Sequence, residues 1–224
     1  MIYPSTIDFL NLLKQNNNRE WFTTRKDEFL REQAHVIEFA EEVLERLNKH
    51  DVIETPNGKK SIYRIYRDVR FSKDKTPFQT YWGGSFKRAS KYRRGGYYYH
   101  IEQGNSLVVG GFWGPNSNDL KRIRESFEFD SAPFREILSS SEFIANFGKL
   151  NGDKLKTAPR GFSIDHPNID LLAFKQFLLI KRFTDEEVLS ESFAEQVDEA
   201  FRAMRPFLNY MSEVLSTDAN GEPL

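Results

Sequence analysis

The chain has 224 residues, 39% of them hydrophobic and 29% charged, with a formal net charge of −1 and no cysteine. Such a composition is ordinary for a soluble globular protein able to bury one large core, and the missing thiols exclude disulfides, thiol catalysis and zinc–thiolate sites. The charge is unevenly placed: residues 59–94 carry twelve Lys or Arg against two Asp, a net +10, so the other 188 residues sum to −11, an asymmetry that points to an anionic partner.

The opening MIYPSTIDFL lacks a basic-then-apolar leader pattern, and no apolar run reaches the roughly 18 residues of a membrane span. A cytoplasmic protein with no membrane partner is the expectation. Ser5 and Asp8 pattern as a capping box before FLNLL, and Asn17 with Glu20 as a second one. From there Trp21, Phe29, Val36, Ala40, Val43, Leu44 and Leu47 recur at helical spacing to about residue 49. Charges including Glu32 fill the opposite face.

After the turn ETPNGKK, residues 62–71 (IYRIYRDVRF) alternate as a strand. Tyr63, Ile65, Arg67, Val69 and Phe71 share one face; Arg64, Tyr66, Asp68 and Arg70 share the other. TPFQTYWGG then reads as a very short helix, with Thr76 as cap, Pro77 at its first position and Gly83 or Gly84 as its stop. YYYHIEQGNSLVVGGFW is a hairpin turning at Gly104-Asn105. Helical segments follow in NSNDLKRIRESF, SAPFREILSS, SSEFIANFG and near NIDLL, then a strand in KQFLLIKRF. Thr184 and Glu187 open a long C-terminal helix, kinked at Pro206. The expectation is one α+β domain over 1–215, a mostly antiparallel central sheet covered by long N-terminal and C-terminal helices. Residues 216–224 read as a disordered tail.

The segments NNREWF, RIYRDVRFSKDKTPF, GYYYHIE, GGFW and GF…DHP, spread from about Phe9 to Phe207, together resemble the uncharacterised bacterial family called domain of unknown function 2461. RDVRFSKDKTPF, between the Trp-containing helix and the Tyr-rich hairpin, is the specific part. The resemblance implies a single-domain soluble bacterial protein and carries over no activity, cofactor or catalytic residue.

The candidate site follows from the residues alone. Arg64 and Arg70, on one strand face, can fork onto a phosphate or carboxylate, with Asp68 as the competing structural partner. Arg67, among apolar neighbours, must meet either a carboxylate or a ligand anion. Lys73 and Lys75 precede the expected helix start, where free N–H groups favour anions. Tyr98 and His100 on the hairpin complete a basic, aromatic ligand site. His100 with Glu102, Asp165 and His166 is too loose a set to specify a metal, so none is expected. The expected partner is therefore a phosphorylated or carboxylated small molecule. The alternative is a nucleic-acid or protein interface on residues 87–99, where Lys87, Arg88, Lys91, Arg93 and Arg94 alternate with Tyr92 and Tyr97–Tyr99.

Overall fold

The computed structural model describes residues 1–89, 93–218, 222 and 223. Lys91 and Tyr92 of the basic stretch, and residues 219–221 and 224 of the tail, lie outside the described residues. The fold is α+β. In chain order it runs α1 (Pro4–Gln15), α2 (Arg19–Thr24), α3 (Lys26–Leu47), α4 (Gly58–Ser61), β1 (Trp82–Lys87), β2 (Gly96–Ile101) and β3 (Leu107–Phe112). Then come α5 (Ser117–Phe129), α6 (Ala132–Ser139), α7 (Ser141–Phe147), α8 (Ile169–Leu172), β4 (Phe177–Arg182), α9 (Asp185–Leu189), α10 (Phe193–Ala203) and α11 (Arg205–Ser216). The strands form one antiparallel sheet in the order β1-β2-β3-β4.

The chain falls into two compact units, each built from several segments: residues 1–86, 98–108 and 182–199 make the first, and 87–97, 109–181 and 200–224 the second. The core of the first is made of rings. Phe22 stacks on Phe78 with centroids 4.1 Å apart and Phe29 on Trp82 at 5.5 Å. The Trp82 indole N–H donates to the Thr6 carbonyl at 3.2 Å, satisfying the polar end of a buried ring. Glu32, placed by periodicity on the polar face of α3, is only 2% exposed. It accepts hydrogen bonds from the Ser5 and Thr6 hydroxyls and lies 3.2 Å from His35, which is what a buried carboxylate requires. In the second unit Phe127 packs on Phe134 at 4.7 Å and Phe134 on Phe207 at 5.8 Å. Burying a side chain of this size contributes roughly 1.5–3 kcal/mol.

Several sequence expectations are corrected. Residues 62–71 do not form a strand; among the described residues their β pairing is limited to the isolated bridges Ile62–Gly84 and Tyr66–Phe78. TPFQTYWGG is not a helix. Its backbone pairs across the chain instead: Arg67 N–H donates to the Pro77 carbonyl at 2.9 Å and Gln79 N–H to the Ile65 carbonyl at 2.7 Å. The Phe78 N–H goes to the Asn17 side chain, so the donors a helix start would leave free are taken. Trp82, Gly83 and Gly84 begin β1 rather than ending a helix. The hairpin turns one residue earlier than expected: Asn105 N–H bonds back to the Glu102 carbonyl at 3.0 Å, and Gly104 has φ +68°.

Helix ends also shift. Pro4 starts α1 with no side-chain cap, because the Ser5 hydroxyl is turned to Glu32. The cap of α2 is Asn18 rather than Asn17, and a break at Arg25 separates α2 from α3. The C-terminal helix is three pieces, α9 to α11. Its Thr184–Glu187 capping box forms as expected, and Pro206 lies in the first turn of α11, which starts after a break at Met204.

Candidate functional site

The loop from Ile65 to Gln79 carries most of the basic residues, and most of them are paired within it. Asp74 accepts from the Thr76 backbone N–H at 2.9 Å, fixing a tight turn. The Arg67 guanidinium reaches the same carboxylate at 2.6 Å and the Thr76 carbonyl at 3.1 Å, and also meets the Thr76 hydroxyl. The Thr76 N–H first, and then Arg67, pull the Asp74 carboxyl down to about 2. Arg70 grips Asp68 through Nε at 3.0 Å and Nη2 at 2.7 Å, on the surface. Lys75 donates to the Val69 carbonyl at 2.9 Å. Arg64 and Lys73 are exposed and form no ion pair with a described residue. The structure thus gives Arg67, Arg70 and Lys75 internal partners and leaves Arg64 and Lys73 with their charge facing water. The helix start that was to help Lys73 and Lys75 hold an anion does not exist.

Tyr98 and His100 sit elsewhere in the same unit, in a more organised setting. Strand β2 alternates: Tyr97, Tyr99 and Ile101 are buried, while Tyr98 and His100 point to the other side. Glu102 continues that side just past the strand end. The Tyr98 hydroxyl lies 3.0 Å from His100 Nδ1, and His100 Nε2 lies 3.2 Å from the Glu102 carboxylate. Asn105 Nδ2 donates to the same carboxylate at 3.0 Å, and Lys14 Nζ is 3.6 Å from it. Tyr81 stacks on the His100 ring with centroids 4.3 Å apart, and Tyr63 on Tyr98 at 5.9 Å.

Burial and close neighbours shift Tyr81, Tyr98, His100 and Glu102. Burial, then the neighbouring Tyr81, Tyr63 and Glu102, raises Tyr98 far above the ordinary phenol range. Burial raises Tyr81 too, with the Arg67 charge opposing. Burial lowers His100 below the ordinary imidazole value despite its bond to Glu102. For Glu102 burial works upward, but the bonds from Asn105 and His100 and the charge of Lys14 outweigh it and lower the group. Gly83 sits beneath this group: a Cβ there would lie 3.2 Å from the Tyr98 hydroxyl and 3.0 Å from the Tyr81 ring.

Sequence reasoning named Tyr98 and His100 for this site but missed Tyr63, Tyr81 and Lys14. The spacing of Tyr98, His100 and Glu102 by two along one strand was a visible signal. Tyr63 and Tyr81 come from the irregular segments flanking the basic loop, where no periodicity could assign a face. Of the remaining expected residues, Arg67 is the one whose charge acts on this group, through Tyr81.

Of the basic stretch 87–99, Arg88 and Arg94 are engaged inside the second unit. Arg88 is 2% exposed and donates to the Arg94 and Leu208 carbonyls, the Ser212 hydroxyl and the Asn209 side chain. Arg94 pairs with Asp119 at 2.6 Å. His166 in the same unit accepts the Asn168 N–H on Nδ1 and meets the Phe162 ring. Among the described residues no three His, Asp or Glu side chains gather as a metal site, and no helix is long and apolar enough to cross a membrane. A broad groove of about 1030 Å³ lies between α5 and α11, lined by Arg122, Glu125, Tyr210 and Thr217 among others; none of the candidate residues borders it, so volume and chemistry point to different places. The polar ring cluster is the better candidate, because its groups are mutually oriented whereas the groove is mostly open surface.

Residues 5–210 match the family described as "Conserved hypothetical protein (DUF2461)". Neither the curated proteins nor the solved structures contain a match to the chain.

Proposed function

We propose a function for this chain, which belongs to the DUF2461 family of conserved hypothetical proteins: it binds a phosphorylated or carboxylated small molecule on the face formed by Tyr63, Tyr81, Tyr98 and His100. One observation carries this reading. Four rings with polar tips lie against one another with the Arg67 charge within electrostatic reach, and Arg64, next to Tyr63, is exposed without an ion pair to a described residue. Ring faces hold the body of a small molecule, hydroxyls and imidazole orient it, and a guanidinium answers its charge. A nucleic-acid interface along residues 87–99 is less favoured, because Arg88 and Arg94 already have internal partners. A bacterial, cytoplasmic setting belongs to the same reading and agrees with the cysteine-free composition.

The test is thermal unfolding of the full chain with a panel of phosphorylated and carboxylated compounds. A true ligand at about 100 times its Kd adds about 2.7 kcal/mol, roughly 5–10 °C for a chain of this size. The rise should disappear in Arg64→Ala and Tyr98→Phe and survive in Arg94→Ala. No shift with any compound, or a shift indifferent to Arg64 and Tyr98, overturns the reading.

A further inference from the structure

The hydrogen-bond donors of the ring cluster can be assigned in order. Glu102 is held ionised by Asn105, His100 and Lys14, and a carboxylate only accepts. In the 3.2 Å bond between them the proton is therefore on His100 Nε2. Burial keeps the imidazole neutral, so Nδ1 is bare and accepts from the Tyr98 hydroxyl at 3.0 Å. Each proton in the row points the same way, from Tyr98 through His100 towards Glu102. The stacked Tyr81 ring restrains the imidazole, and the absence of a side chain on Gly83 leaves room for the Tyr98 hydroxyl.

Tyr99, the next residue on the strand, shows what a structural tyrosine looks like here. Its ring is 1% exposed and its hydroxyl shares a bond with Ser61 at 3.1 Å, with no base behind it among the described residues. Tyr98 is only half-buried and has a base and a carboxylate behind it.

We propose that Tyr98, His100 and Glu102 form a proton relay in which the Tyr98 oxygen exchanges a proton with a bound substrate. The proposal rests on the reading that the ligand seats on this face, and it adds the substrate class: a phosphorylated or carboxylated compound with an acidic O–H or C–H. The step balances without an oxidant or co-reactant. The substrate proton passes to the Tyr98 oxygen as the proton of Tyr98 passes to His100 Nδ1. The electron pair stays on the substrate, and the new imidazolium faces the Glu102 carboxylate. The reverse sequence protonates a substrate anion. Tyr98 is the catalytic residue; His100 and Glu102 act through it. The charged and titratable groups facing the relay are Tyr63, Tyr81, Lys14, Arg182 and, through Tyr81, Arg67.

Burial holds the Tyr98 phenol above its ordinary range, so without a base it labels slowly, whereas a relay in which His100 takes its proton makes it reactive even without substrate; this gives a direct test. The ligand-free full chain is treated with an aryl sulfonyl fluoride, and labelled peptides are quantified by mass spectrometry. An O–S bond forms at the phenol, the S–F bond breaks, fluoride leaves, and the phenol proton goes to His100. Tyr98 is expected to label faster than Tyr63, although Tyr63 is 50% exposed. Its rate should fall as pH drops and His100 becomes protonated, reaching half its maximum below the ordinary imidazole value because burial lowers His100. His100→Gln should slow it at least 10-fold and Glu102→Gln less, with Glu102→Asp restoring part of the loss. Should His100→Gln fail to fold, the wild-type pH profile and the Glu102 pair decide. Tyr98 labelling no faster than Tyr63, or at a rate indifferent to both pH and Glu102, overturns the relay. An anion-dependent thermal shift beside an unreactive Tyr98 sinks the relay alone. A His100-dependent, reactive Tyr98 without any such shift supports the relay and sinks the anion reading.

Discussion

The pairing of Arg67 shows how far single residues could be read. Its position among apolar neighbours demanded a counter-charge, and the structure supplies one. The partner is Asp74, a carboxylate the sequence did not single out, brought to Arg67 where the chain turns and the Thr76 N–H orients it. Asp68 takes Arg70, two residues on, as its sequence position suggested. Such pairings depend on a turn that no periodicity announces. A pH prediction follows from Asp74. Its folded carboxyl is lowered to about 2 from a model-peptide value near 3.8. A depressed acid contributes stability above its unfolded pKa, and that contribution is lost as pH falls through the folded one. The Asp74 contribution to stability is therefore expected to be complete above about pH 4 and to decline as pH falls toward 2, near which the carboxyl protonates and the loop 65–79 loses this pairing. Carboxyl NMR of Asp74 checks this; a midpoint at the ordinary aspartate value would mean that the Arg67 and Thr76 bonds do not persist in solution.

Elements were legible where their signals are local. The helices α5, α7 and α9 each begin at a side chain that caps its own backbone, at Asn116, Ser140 and Thr184; helix was read from sequence at all three places, the last as the start of one longer helix. Strand β1 was missed for the opposite reason. Gly83 and Gly84 look like a helix stop, yet they are glycines because of residues far along the chain: a Cβ on Gly84 would sit 2.4 Å from the Tyr99 hydroxyl and 2.7 Å from the Ser61 carbonyl. The same distinction makes a prediction about two other glycines with positive φ. Gly104, at the hairpin tip with φ +68°, has open space around its missing Cβ. Gly104→Ala should cost only the backbone penalty of about 1–2 kcal/mol. Gly111, in β3 with φ +137°, would place a Cβ 2.1 Å from the Phe177 carbonyl of the neighbouring strand. Gly111→Ala adds a clash that only strand separation relieves, so roughly 3–5 kcal/mol is expected from strain and overpacking together. Urea unfolding of the two variants measures the difference; equal costs would show that β3 and β4 do not pair as described.

At the scale of the whole chain, aromatic residues make up 14% of the sequence, 20 of them Phe, a composition that favours a ring-rich core, and ring contacts recur in the interiors of both units. What composition could not anticipate is that the chain passes between the two units at 86/87, 97/98, 108/109, 181/182 and 199/200. None of these crossings is a linker. The first four fall inside β1, β2, β3 and β4, and the last inside α10. A domain boundary normally lies in an exposed segment that can give way without disturbing either side. Here, melting one unit means breaking the continuity of hydrogen-bonded strands and a helix whose other residues belong to the second. The expected outcome is a single cooperative thermal transition with calorimetric and van 't Hoff enthalpies that agree, although chains longer than about 150 residues often populate intermediates. For the same reason a fragment ending at residue 108, which holds most of the first unit but lacks 182–199, should not fold alone. Two resolved calorimetric peaks, or a 1–108 fragment with dispersed amide NMR signals, would show that the units are independent despite the elements that run through both.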